Sequence, residues 1–330
     1  MGQIPLYPLR FAPIYEYRLW GGRRFANLLS APLPGDGPVG EAWTLSDRDD
    51  HMSHVANGPL NGRTIGELQE QFPEQLMGVL AHRFPRFPLL LKFLDAHELL
   101  SVQVQPSDAH KDLLPAGETG KTEAWVVLEA EKGSRIYAGL KPGTTADDLR
   151  RALTNGTVAD HLACFTPKPG DGVFIPAGTV HTLGDDIVVF EIQRNSDVTF
   201  RLDDWGHVDA KTGKPRELEV DQALACIDFA DGPGGLVSPV VEATTPVERE
   251  RLFQCEYFWL WRLRGQSPFA VGAVGVPRVL VCIEGAGQVE HGGATYVVGK
   301  GDVWLLPVTV GVCGFQPRSA VTLLEIAIPG

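Results

Sequence analysis

"GDGVFIPAGTVH", Gly170 to His181, and "GDVWLLPVTVGV", Gly301 to Val312, are one pattern written twice. Each opens with Gly-Asp, runs through a short apolar stretch suited to a buried strand, and reaches a proline, Pro176 or Pro307, at the same spacing. The first copy continues through Gly178 to His181, whereas the second has Thr309 and Val312 at those places. Each copy follows a stretch that reads as a short-turn hairpin, "KGSRIYAG" or "HGGATYVVGKG". A strand-and-turn unit repeated at long spacing predicts two related β-barrels of jelly-roll type. Only the first barrel keeps an imidazole at the turn, so only the first is expected to hold a site.

The rest of the chain agrees with a mainly β fold. "AWVVLEA", "DIVVFEIQ", "RVLVCIEG" and "VTLLEIAI" are further Val/Ile/Leu runs, and 37 glycines and 25 prolines supply frequent turns. Helices are expected only at the periphery. "TIGELQEQFPEQLMG" opens with Thr64 and Glu67 spaced as a capping box, and Pro73 must split it. "TTADDLRRALTNG" has Thr145 and Asp148 as caps and Gly156 as a stop, and "RELEVDQALACIDF" is the third. "DGPGG", Asp231 to Gly235, reads as a linker, which divides the chain into a domain over 1–235 and a degenerate barrel over 236–330.

Composition narrows the class of function. The chain has 330 residues, 44% of them hydrophobic and 21% charged, as expected of a soluble globular protein. Its 41 acidic and 29 basic residues give a net charge of −12, which disfavours nucleic-acid and anionic-membrane partners. Five scattered cysteines with no C-x-x-C pair read as reduced thiols. "MGQIPLYPLRFAP" lacks the charged and apolar regions of a secretory signal, so the expectation is a cytoplasmic protein.

"LLSVQVQPSD", Leu99 to Asp108, alternates like a strand and places Ser101, Gln103 and Gln105 on one face. Lys92 inside "LLLKFLDA" is unusual, because a lysine in an apolar strand needs an acid such as Glu41 or a water-filled cleft. His51 and His54, in the polar stretch "SDRDDHMSH", read as surface residues.

The G-x5-P-x-G-x2-H pattern ending at His181 resembles the second motif of the cupin superfamily. Taken with "FPLLLKFLDAHELLSVQVQPSDAH" and "GKTEAWVVLEA", it resembles the type I mannose-6-phosphate isomerases, or phosphomannose isomerases. "RLWGGRRF", "GEAWTLSDR", "NSDVTFRLDDW" and "RELEVDQAL" extend that likeness over roughly residues 7–230. The resemblance implies two cupin-type jelly rolls and a metal-dependent isomerase that interconverts mannose 6-phosphate and fructose 6-phosphate through a cis-enediol. It implies metal ligands at Gln103, Gln105, Glu123 and His181, with Gln105 standing where the family has histidine.

An amide oxygen is a harder and weaker donor than imidazole, so the expected Zn2+ is held less tightly or replaced by another divalent ion. The resemblance also puts Ser101 and Lys121 on the phosphate, with Lys92 and Trp20 lining the pocket, and Asp197 and Arg201 near the reacting carbons. Positive charge is required there to hold the developing enediolate. Two other readings stay open: a cupin that binds or senses a sugar phosphate without turning it over, and an isomerase of a different sugar phosphate. The expected partner is a small sugar phosphate, and the chain is expected to be a monomer or homodimer.

Overall fold

The computed structural model describes residues 6–230, 232 and 234–330, so Asp231 and Pro233 of the expected linker lie outside the described residues. Two antiparallel sheets build the first barrel. One runs Ile14–Glu16, Glu41–Leu45, Leu89–Ala96, Ile187–Arg194, Glu123–Ala130, Gly172–Ile175 in spatial order, and the other runs Phe200–Asp203, Val102–Val104, His181–Gly184, Arg135–Leu140, Leu162–Phe165. In the second barrel a large sheet carries Val303–Leu306, Arg278–Glu284, Val321–Ala327, Trp259–Gly265, Glu248–Gln254 and Val240–Ala243. A smaller sheet of Phe269–Gly272, Val312–Pro317, Ala286–His291 and Ala294–Gly299 faces it.

The pairings of the first barrel from Glu123 to Arg194 recur in order between Arg278 and Ala327. "KGSRIYAG" is therefore not a hairpin with the strand before it. Arg135–Leu140 crosses to the other sheet and pairs with Leu162–Phe165, across an insertion that contains the helix Ala146–Asn155.

The two Gly-Asp turns make the same bonds. Gly170 and Gly301 sit at φ +90° and +85°, a backbone conformation that glycine alone adopts cheaply. Their amides donate to Val127 O and Cys282 O, both at 2.8 Å. The aspartate carboxylates then accept from the amide three residues back, Lys168 N at 2.7 Å and Gly299 N at 2.8 Å. Aspartate is needed because only a short acceptor side chain closes this turn on itself. At the other end Pro176 O and Pro307 O accept from Thr179 N and Val310 N.

The start of each half pairs with the Gly-Asp strand of the other. Leu9–Arg10 adds to Val303–Leu306, and Leu236 bridges to Val173. Arg262 Nη1, from the second half, donates to Gly170 O at 2.6 Å, and Gly301 packs against the backbone of Leu28. One apolar core runs across both halves, from Leu6, Leu89 and Phe190 to Phe258, Val281 and Ile326. The helices lie outside the sheets with their expected ends: Thr64–Glu67 and Thr145–Asp148 form capping boxes, Pro73 opens the next helix, and Gly156 ends its helix in the left-handed region. No described helix is long and apolar enough to cross a membrane.

An alanine Cβ at 301 would stand 2.2 Å from Leu28 O, whereas Gly293, also at positive φ, has nothing within 4 Å. Gly301→Ala should therefore lower unfolding stability by at least about 2 kcal/mol and Gly293→Ala by only about 1 kcal/mol. Urea unfolding of the two variants checks the difference, and equal losses would mean that backbone strain alone acts at 301.

Candidate active site

Sheet register brings the chemistry together. Across the large sheet of the first barrel, Trp43, Lys92, Glu191 and Trp125 are successive cross-strand partners. Across the facing sheet, Arg201, Gln103 and His181 are successive partners. The two rows bound a cleft of about 380 Å³ lined among others by Trp20, Lys92, Ser101, Lys121, Asp197 and Arg201. The alternation Ser101-Gln103-Gln105 holds even though the regular strand ends at Val104, and Gln105 is fully buried.

The floor is a set of converging acceptors. His181 Nδ1 lies 2.7 Å from Thr179 O, so that nitrogen carries a proton and Nε2 is the ring atom turned toward the other groups of the floor. Nε2 faces Glu123 Oε1 at 3.2 Å, and Gln105 and Gln103 place their amide groups 3.0 and 3.4 Å from it. Glu123 Oε1 and Gln105 Oε1 are buried with no hydrogen-bond partner. A half-turn of the Gln105 amide would aim its oxygen at the same point as the imidazole and the carboxylate.

A buried acceptor without a partner is costly, and with the Gln105 amide turned a cation here would satisfy Glu123 Oε1, Gln105 Oε1 and His181 Nε2 at once. One imidazole, one carboxylate and two amides fit a divalent ion that tolerates oxygen donors. Among the described residues no three His, Cys, Asp or Glu side chains converge as a metal cluster, since two of these four donors are amides.

A layer of alternating charge lies above the floor. Lys121 Nζ is 3.0 Å from Glu123 Oε2, and Lys92 Nζ is 3.1 Å from Asp197 with Glu41 at 3.8 Å and Glu191 at 4.0 Å. Lys92 also sits 4.1 Å above the Trp43 ring. Burial would raise the Glu123 carboxyl, but Lys121 and His181 outweigh it and hold the group at about 2. Burial likewise opposes ionisation of Asp197, and Lys92 and Lys121 bring it down to about 2. Glu191 goes the other way. Burial, reinforced by the neighbouring Glu123 charge, pushes it up to about 7, while Trp125 Nε1 holds one of its oxygens at 2.8 Å. Two buried glutamates are thus split into a fixed anion and a group able to take and return a proton.

Of the expected residues, Trp20, Lys92, Ser101, Gln103, Lys121, Asp197 and Arg201 line this cleft, and Gln105, Glu123 and His181 are fully buried against Gln103 and Lys121. Lys92 both lines it and pairs with Glu41. Ser101 and Lys121, however, stand beside the ligand set: Ser101 Oγ donates to Gln103 Oε1 at 3.3 Å. His51 departs from its reading as a surface residue. It packs on Trp43 at 4.5 Å and lies 3.0 Å from Glu16 Oε1, whereas His54 is exposed. Sequence reasoning passed over Arg18, which grips Glu41 with two 3.0 Å bonds, and Arg216, which reaches the cleft from a distant hairpin. Their signal was a charge at the head of a quoted motif, Arg18 in "RLWGGRRF" and Arg216 in "RELEVDQAL".

Register also locates the corresponding positions of the second barrel. Arg278 stands where the first has Glu123, Trp261 where it has Lys92, Arg249 where it has Glu41, and Gly272 and Val312 where it has Gln103 and His181. Only Glu325 matches its counterpart, Glu191, and it is occupied by Arg249 at 2.9 Å and Gly272 N at 2.8 Å. The donors are gone and Trp261 fills their place.

The chain is similar to known proteins along nearly its whole length. The family model for phosphomannose isomerase type I, catalytic domain, matches residues 9–124. The mannose-6-phosphate isomerase ManA of Bacillus subtilis (strain 168) is 35% identical over 320 residues, covering 92% of this chain and 94% of that one. A crystal structure of mannose 6-phosphate isomerase from Bacillus subtilis superposes with a TM-score of 0.89 at 28% identity, covering 97% of this chain and 99% of the other. A zinc-bound mannose 6-phosphate isomerase shares the fold at a TM-score of 0.77 and 14% identity, over 98% of this chain and 100% of the other. With a relative this similar along nearly its whole length, a shared fold and a coherent polar cleft, the chain belongs to the type I phosphomannose isomerase family.

Proposed function

We propose that this protein is a metal-dependent aldose–ketose isomerase acting on mannose 6-phosphate and fructose 6-phosphate, with Gln103, Gln105, Glu123 and His181 holding one divalent ion. The observation that carries the reading is the convergence of His181, Glu123, Gln105 and Gln103 in one buried cluster, where Glu123 Oε1 and Gln105 Oε1 have no hydrogen-bond partner. Zinc is the ion named for the zinc-bound relative, and it is the ion proposed here. When bound, it would polarise the sugar's O1 and O2 and lower the energy of the enediolate.

The remaining steps belong to the chain. Isomerisation moves a proton between C2 and C1, which requires a group that exchanges protons near neutral pH. Glu191, at about 7, has that property, and Trp125 fixes the carboxyl's orientation. Lys121 and Lys92 supply the positive charge that a developing enediolate needs, and Asp197 stays anionic to position Lys92 and the sugar hydroxyls. Trp20 closes one wall and keeps water from the intermediate. Arg201 lies one strand further out than Gln103 and bears on the outer part of the substrate.

Every group comes from one chain, so the proposal needs no second subunit. Free cysteines, with Cys226, Cys282 and Cys313 buried, fit a reducing cytosol. A sugar-phosphate-binding protein without turnover is the second reading, favoured by Gln105 alone. Metal analysis of the purified protein followed by a coupled isomerase assay separates the two: metal with turnover supports the first, and binding without turnover the second.

Three outcomes follow for variants. His181→Ala should bring metal content to background, and Gln105→His should tighten zinc binding by at least about tenfold, a scale that even outer-layer changes reach. Equal zinc content in wild type and His181→Ala would place the ion elsewhere. Glu191→Gln should reduce kcat by about 10²- to 10⁴-fold with metal content unchanged, as loss of a proton-transfer group does. Near-normal turnover in that variant would move the proton-transfer role to another residue.

A further inference from the structure

Loss of the imidazole from the second Gly-Asp turn removes a metal site, and the residues that replace the donor set follow a chemical pattern of their own. Arg278 and Arg249 stand where the first barrel has Glu123 and Glu41, and Arg251, the register partner of Trp261, stands where it has Trp43. Acids have become arginines on the matching face. The mouth is also more open. Val312 is 55% exposed where His181 is fully buried, and Gly272 leaves no side chain where the first barrel has Gln103.

Charge at this mouth does not balance. Glu325 gives one oxygen to Gly272 N at 2.8 Å and the other to Arg249 at 2.9 Å. Glu242 accepts from Trp261 Nε1 at 2.8 Å and lies 3.5 Å from Arg249 Nε and 3.3 Å from Arg251 Nε. Both acids are thus taken up, and the surplus positive charge falls on Arg278. Among the described residues no acid lies within ion-pair distance of Arg278. Its Nη1 donates to the neighbouring Pro277 O at 3.1 Å, and its other N–H groups have no acceptor in the protein. The two guanidinium groups are neighbours over one indole, Arg249 at 4.3 Å and Arg278 at 5.9 Å from the centre of the Trp261 ring. Burial and the Arg249 charge both disfavour the Arg278 cation, and Glu325 offsets this only in part.

We propose that the mouth of the second barrel binds a small oxyanion, a carboxylate or phosphate group, between Arg278 and Arg249. An anion there gives the free donors of Arg278 an acceptor and screens two neighbouring guanidinium groups from each other. The planar fork of a guanidinium matches the edge of a carboxylate or phosphate. A net charge of −12 repels anions at long range, so a site for one has to be a local surplus of this kind. The same frame of strands and turns serves opposite charges in the two barrels, because the sign of the residues at the mouth was exchanged and the backbone was kept. This site does not depend on the reading of the first barrel.

The test titrates inorganic phosphate and acetate into metal-loaded, full-length protein by calorimetry, with isomerase kinetics on the same samples. Wild type is compared with Arg278→Met and with Val312→Glu. The second variant puts a carboxylate at the position matching His181, which faces Glu123 in the first barrel, so that it competes for Arg278 from within. Wild type should show an anion site that Arg278→Met weakens by at least about tenfold, the scale of a lost charge-assisted contact, and that Val312→Glu removes. Any phosphate held in the first barrel is common to all three proteins, so the differences between them isolate the second. Tighter binding of phosphate than of acetate assigns the ligand as a phosphate ester, and the reverse order as a carboxylate. Turnover of mannose 6-phosphate should be unchanged in both variants.

Equal anion affinity and stoichiometry in the three proteins would overturn the proposal. If Arg278→Met fails to fold, Val312→Glu, which alters a largely exposed side chain, decides alone: phosphate and acetate binding as in wild type would refute the site. A protein that loses an anion site on these substitutions but never isomerises mannose 6-phosphate would contradict the proposed function and leave this site standing.

Discussion

A fully buried carboxylate, Glu123, faces Nε2 of a fully buried imidazole, His181, 3.2 Å away, and the Gln105 amide lies 3.0 Å from the same nitrogen. That opposition organises the rest of the cleft. Thr179 O holds a proton on Nδ1 at 2.7 Å, which leaves Nε2 as the ring atom turned toward Glu123 and Gln105. Lys121 compensates Glu123 from one side, and the space between Glu123, His181 and Gln105 is left to be compensated by a cation. Further out, Lys92 answers Glu41, Asp197 and Glu191 together, so no acid in the cleft is far from positive charge. Glu191 is pushed toward neutral pH by its burial and then by the nearby Glu123 charge, which Lys121 and the shared Lys92 offset only in part.

The same fold appears twice, and the second copy shows what the site requires by losing it. Its strands pair as in the first, and its Gly-Asp turn makes the same hydrogen bonds. Arginines at the Glu123 and Glu41 positions and tryptophan at the Lys92 position leave nothing to hold a cation. The second barrel retains a structural task. It receives the chain's first strand, lends Arg262 to the turn that precedes the strand leading to His181, and shares one core with the first. The proposed division at residue 235 therefore separates two barrels that hold each other's edges.

The features legible in the sequence were those set by local chemistry. Gly170 and Gly301 announced themselves because the turn needs positive φ, and Asp171 and Asp302 because a short acceptor closes it. Strand alternation put Gln105 on one face with Ser101 and Gln103, and the family resemblance turned that face into the barrel. The capping boxes at Thr64 and Thr145 likewise depend on neighbours three residues away. What stayed hidden depended on partners distant along the chain. His51 looks exposed until Trp43 folds over it, and Arg216 reaches the cleft only through the hairpin after Asp204. The exchange of Leu9–Arg10 and Leu236 between the halves has no sequence signal, since edge strands this short carry little pattern.

The most direct test of the central claim is anomalous diffraction at a metal absorption edge, on crystals of the protein grown with zinc. The account predicts a single strong peak between Gln103, Gln105, Glu123 and His181, with the Gln105 amide turned oxygen-inward, and no peak in the second barrel. A fully active protein whose floor lacks that peak, with Gln105 still donating its amide nitrogen to His181, would contradict it.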